Sequence, residues 1–183
     1  MEDRIVYFAK PGKGNTAEVI KLVRERAQAR GIKRFVVAST RGGTARDFSE
    51  AVAGTEYRLV IVPWQYGFKG EEQPFPQDLV TEVREKNHQV HFGTMLFHTG
   101  DFYGSGAPQA MANILRTMGQ GIKVCVEILL MACDGGCIRI GEKVIAVAGT
   151  GSGADTALVA TAAPTTRLGS LRIHEIICKP IMS

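Results

Sequence analysis

Short runs of β-branched and other apolar residues alternate along the chain with stretches whose apolar positions recur every three or four residues. Glycine-rich turns separate the two kinds of segment. R-I-V-Y-F at residues 4–8 reads as a first strand. Asn15 then offers an N-cap with Glu18 three residues on, and Ile20, Val23 and Ala27 continue at helical spacing until Gly31 stops the helix. K-R-F-V-V-A-S is a second strand, apolar without alternation, as suits a sheet covered on both faces. Thr44 with Asp47 is expected to cap the next helix, whose stripe is Ala45, Phe48, Ala51 and Val52. Y-R-L-V-I-V-P is a third strand, and a polar helix runs through Leu79 and Val83. H-Q-V-H-F-G-T-M-L-F is a weaker strand signal. Pro108 fits a first helical turn, with Met111, Ile114, Leu115 and Met118 as the stripe behind it. I-K-V-C-V-E-I-L-L-M-A-C is apolar nearly all round, which predicts a helix packed between other elements. Three more strands follow, K-V-I-A-V-A, T-A-L-V-A-T and the alternating L-R-I-H-E-I-I-C-K-P. This alternation predicts a mostly parallel sheet with helices on both faces.

The 183 residues fit one domain spanning 1–183, with no repeat or linker. Hydrophobic content of 45% with 22% charged excludes disorder. The net charge of +4 allows an anionic partner but does not make a nucleic-acid surface. No membrane association is expected, because the longest apolar stretch is half of what a bilayer span needs and Glu127 interrupts it. The opening M-E-D-R lacks the features of a signal peptide, so a cytoplasmic location is expected. Cys125 and Cys178 lie inside apolar runs, and Cys133 and Cys137 form CxxxC with no second pair at ligand spacing. Four free thiols and no metal site are the expectation.

Three turns have the composition of a ligand site. Residues 39–44, S-T-R-G-G-T, join the end of a strand to the start of a helix. Ser39, Thr40 and Thr44 supply hydroxyls, Gly42 and Gly43 let backbone N–H groups converge, and Arg41 and Arg46 lie nearby. Such a turn suits a phosphate or carboxylate; the plain alternative is a βα turn. The second turn carries Gly149, Thr150, Gly151, Gly153 and Asp155 but misses the dinucleotide spacing, so it is a ligand wall or a structural turn. The third, P-G-K-G-N-T at residues 11–16, lacks the Gly-Lys-Ser/Thr ending of a P-loop, although Lys10, Lys13, Asn15 and Thr16 lie near the same crevice. Among the four histidines only His98, beside Asp101, falls in a candidate loop, as a general base or a solvated residue. Glu127 pairs with Lys123 one turn back, or is a buried acid at a ligand site. No catalytic residue is assigned.

Several strings together resemble a known family. I-K-R-F-V-V-A-S-T-R-G-G-T-A-R-D-F-S-E is similar to the strand–phosphate turn–helix segment of the pyruvate kinase C-terminal domain. G-Q-G-I-K-V-C-V-E-I-L-L-M-A-C-D-G-G, V-I-A-V-A-G-T-G-S-G-A-D and L-R-I-H-E-I-I-C-K-P resemble the stand-alone, mainly archaeal proteins of the pyruvate kinase C-terminal-domain-like superfamily, uncharacterised in activity. The resemblance implies a three-layer α/β/α sandwich on a mixed five-stranded sheet, mostly parallel with one strand reversed, and FMN in the crevice. It implies no kinase activity, since the catalytic barrel is missing. It places Asn15 and Thr16, Ser39, Thr40, Gly42, Gly43 and Thr44, and Gly149, Thr150, Gly151, Gly153 and Asp155 at the ligand. This chain departs from those relatives where Pro63, Trp64 and Gln65 replace a T-H-H run, and again around residues 94–107.

Three functions fit these residues. The leading one is binding of a phosphorylated small molecule, FMN first, with Trp64, Tyr66, Phe68, Phe97, Phe102 and Tyr103 as candidates for the wall along its ring. A flavin-dependent oxidoreductase is the enzyme reading. A metabolite-sensing or oligomerisation module is the third, and it leaves a homo-oligomer open.

Overall fold

The apolar runs form one sheet whose two faces are decided by residue alternation. The computed structural model describes residues 3–181, so residues 1–2 and 182–183 of the expected unit lie outside the described residues. The strands are β1 (Val6–Phe8), β2 (Arg34–Ala38), β3 (Arg58–Val62), β4 (Gln89–Val90), β5 (Lys143–Ala148), β6 (Thr156–Thr161) and β7 (Arg172–Pro180). The helices are α1 (Thr16–Arg30), α2 (Gly43–Ala51), α3 (Gln77–Glu85), α4 (Gly100–Tyr103), α5 (Ala107–Arg116) and α6 (Gln120–Asp134). Within β2, Phe35 and Val37 point into a core built with Val19 and Val23 of α1, Phe48 of α2 and Leu79 of α3. Val36, between them, points to the opposite core against Ile128 and Leu129 of α6. A three-layer α/β/α sandwich results. α6 is apolar all round because its outer residues Val126 and Leu130 are covered in turn, by Ala112 of α5 and by Phe97 of the loop before α4.

Strand order is β1-β7-β6-β5-β2-β3-β4. All neighbours run parallel except β6, which is antiparallel to both β5 and β7. The expected single reversed strand is therefore present, but the sheet has seven strands and not five. Both edges of the sheet are short strands, β1 against β7 and β4 against β3. β4 covers only the first part of its apolar run, because its ladder cannot outlast β3, which ends at Val62 before Pro63.

Two expected caps are built differently. The Asn15 side chain donates to the carbonyls of Lys10 and Gly12 and makes no cap bond to α1. Helix α2 starts at Gly43, one residue before the expected cap at Thr44. Its first turn is held instead by Ser39, whose Oγ accepts the Ala45 N–H at 3.1 Å.

Candidate functional site

Because β5 lies beside β2, the chain leaves these neighbours in opposite directions, through α2 to β3 on one side and straight to β6 on the other. Such a reversal opens a crevice at the carboxyl ends of the strands. A crevice of about 700 Å³ lies there, floored by Ala38, Val62 and Gly149, which follow or end β2, β3 and β5. The first turns of three helices also line it, through Thr16 of α1, Gly43 and Thr44 of α2, and Gln120 and Lys123 of α6. First-turn N–H groups have no acceptor inside their own helix, and they carry the positive end of its dipole.

Of the sequence candidates, Thr16, Ser39, Thr40, Gly43, Thr44, Gly149, Gly151 and Gly153 line the crevice. Asn15, Gly42, Thr150 and Asp155 stand behind its wall, where each has a structural part. Gly42 takes φ +86°, and a Cβ on it would come within 2.5 Å of Leu79 Cδ2. A Cβ on Gly43 would meet nothing within 4 Å, so the backbone there is open to whatever enters the crevice. Asp155, fully buried, accepts the Gly12 N–H at 2.8 Å, the Thr150 N–H at 2.9 Å and the Thr156 hydroxyl at 2.7 Å. It thereby clasps the β1–α1 turn to the β5–β6 turn. The Ala154 N–H donates to Thr16 Oγ1 at 3.0 Å across the same seam.

The basic residues divide likewise. Lys13 and Arg41 line the crevice, whereas Lys10 and Arg46 do not. Lys69, Arg116 and Lys123 join them, so among the described residues five basic side chains face two acidic ones, Asp47 and Glu127. Arg116 reaches the site because α5 ends where α6 begins, and its Nε donates to Gln120 Oε1 at 2.9 Å. No local spacing marks that corner.

Of the six aromatic candidates, Trp64 and Phe68 line the crevice, edge to face with centroids 5.1 Å apart. Lys69 Nζ stands 5.2 Å from the Trp64 ring. The Gln73 side chain donates to the Trp64 carbonyl at 2.9 Å and Gln65 Oε1 accepts the Met95 N–H at 2.6 Å, which fixes this loop against the next. Tyr66 stacks outside on Phe92 and Phe97 is buried behind Lys123. Phe102 and Tyr103 pack on each other at the surface, 84% and 70% exposed.

The α6 wall holds an ionisable cluster. Lys123 and Glu127 have side chains only 2% and 3% exposed, with Nζ and Oε2 at 2.5 Å. Glu127 Oε1 also accepts the Phe97 N–H at 2.9 Å. Lys123 Nζ lies 3.2 Å from His98 Nε2, and the His98 ring meets Phe68 edge to face at 4.8 Å. The His98 ring thus has Lys123 as its side-chain neighbour at Nε2. Burial pushes the Lys123 pKa down, with Glu127 opposing and Arg116 adding to the push.

No protein-family model matches the chain. Among solved structures it is similar to Cryptosporidium parvum pyruvate kinase in complex with ADP, with a TM-score of 0.40 and 13% sequence identity. The match covers 88% of this chain and only 24% of that one.

Proposed function

We propose that the crevice binds a phosphorylated aromatic ligand, with FMN the best fit to its two halves. The observation that carries this reading is the bare backbone at Gly43, set at a helix N-terminus beside the Thr40 and Thr44 hydroxyls and Arg41. A phosphate needs such a convergence of N–H donors and positive charge. The other half is apolar and aromatic, with Trp64, Phe68, Met95, Val124 and Ile128 along it. A volume of about 700 Å³ suits a ligand of this size. Bound FMN would supply hydride and one-electron chemistry at its ring. In this reading residues 39–44 hold the phosphate, while Trp64 and Phe68 orient the ring and keep water from one face.

The chain's one tryptophan, Trp64, lies on the crevice wall, so its fluorescence reports occupancy directly. FMN should bind more tightly than riboflavin. Each charge-assisted hydrogen bond contributes about 1.5–3 kcal/mol, so losing two costs about 3 kcal/mol or more, roughly 100-fold. Equal affinity for the two flavins would discard the phosphate-turn account. Tight binding of a sugar phosphate without flavin binding would replace it with a metabolite-sensing module.

A further inference from the structure

The cluster on the α6 wall has a protonation pattern that its geometry dictates. A lysine ammonium has three donors and no acceptor. Glu127, at 2.5 Å and buried with it, favours the charged form of Lys123. A charged Lys123 at 3.2 Å from His98 Nε2 requires that nitrogen to accept, so the ring proton sits on Nδ1. Among the described residues Nδ1 has no hydrogen-bond partner, and His98 lines the crevice. We propose that His98 is a neutral hydrogen-bond donor that offers its Nδ1–H to a carbonyl-type oxygen of the bound ligand, with Lys123 and Glu127 as positioning residues that fix its tautomer. Three of the four charged groups around the ring favour this neutral form. Burial and then Lys123 lower the His98 pKa, and Arg116 of α5 and Lys69 of the loop after β3 add to this, against Glu127 alone. A neutral imidazole donor can polarise a carbonyl without giving up a proton, an arrangement suited to a ligand whose ring oxygens gain electron density during reaction. The ligand half of this inference rests on the FMN reading; the tautomer half does not.

The tautomer is read from imidazole 15N shifts in protein labelled at histidine, with His98→Gln assigning the signal among the four histidines. The wild type should show His98 as the neutral Nδ1–H form at pH 8, with a titration midpoint below its ordinary 6.5. Lys123→Met should raise its titration midpoint and release the tautomer. If that variant does not fold, Lys123→Met with Glu127→Leu removes both charges and reports the same release. An Nε2–H tautomer in the wild type, or a midpoint at 6.5 or above, overturns the proposal. For the ligand, His98→Phe should weaken FMN and riboflavin by one common factor, several-fold to about tenfold, because the contact is to the ring and not the phosphate. Unchanged flavin affinity in His98→Phe would remove the ligand role. Failure of wild type to bind FMN at all would retire the FMN reading, while the 15N spectrum would still decide the state of His98.

Discussion

Gly42 and Gly43 are adjacent but sit on opposite sides of the crevice wall, and substitution should separate them. Gly42 needs a left-handed backbone and faces Leu79, so Gly42→Ala should lower stability by about 1–2 kcal/mol for the backbone alone, more with the clash, in a denaturant titration. Gly43→Val places its side chain in open space, so the unfolding midpoint should stay near wild type while FMN affinity falls at least tenfold. Unchanged FMN affinity would move the site to the turn that carries Gly149 and Gly151. Ser39→Ala should cost about 1 kcal/mol of stability through the lost cap on Ala45. The strand–Gly–Gly–helix order made this turn legible in the sequence. The owner of the cap was not legible. Gly42 occupies the N-cap position without a side chain, so the hydroxyl comes from Ser39 across the turn, at a separation no local signature covers.

At the scale of elements, the site depends on two loops far apart in sequence being held together by one carboxylate. Asp155→Ala would leave the Gly12 and Thr150 N–H groups without an acceptor, at about 1–3 kcal/mol each. Asp155→Ala should therefore destabilise the protein by about 3 kcal/mol or more, and Asp155→Asn, which keeps one acceptor oxygen, by less. A loss under 1 kcal/mol in chemical denaturation would show that the clasp does not hold the loops. The sequence left the turn with Asp155 open between a ligand wall and a structural turn, because composition reveals that a turn is special and not which way its carboxylate faces. The reading of α6 fared better. Its apolar residues on every side required a layer beyond the sheet, and α5 with Phe97 is that layer. The seven apolar runs likewise match seven strands, where the family resemblance implied five.

For the whole molecule, burial of titratable groups sets a pH window of stability. Burial is the first cause holding the pKa of His88, His91 and His98 down. His88 Nδ1 accepts the Leu59 N–H at 3.4 Å in the neutral form. Depressed histidine values mean the unfolded chain binds more protons, so stability should fall as pH drops below about 6.5. Asp47, raised by burial and by Glu50, offsets a little of this near its ordinary 3.8. At the other end, burial pushes the Cys178 thiol up to about 12 and the Cys125 thiol up as well. The unfolded thiols ionise first, so stability should decline as pH rises from 9 toward 12. Urea midpoints across pH would check both limbs, and a flat profile between pH 5 and 11 would contradict them. All four cysteines are free, and only Cys137 is not buried. A thiol reagent should thus react readily with at most one group in the native protein and with four after denaturation without reductant.

The pairing of β1 with β7 has a consequence for how the protein is made. β1 emerges before the other six strands, yet its one neighbour in the sheet is the last of them. About 170 residues separate the paired positions Val6 and Cys178. At ~5–20 residues per second of translation, the nascent β1 waits roughly ten to thirty seconds for a partner. The Gly12–Asp155 clasp spans nearly the same stretch of chain. β2, α2 and β3 can pack during synthesis, but the clasp that ties the β1–α1 turn to the far side of the crevice must wait until Asp155 has been made.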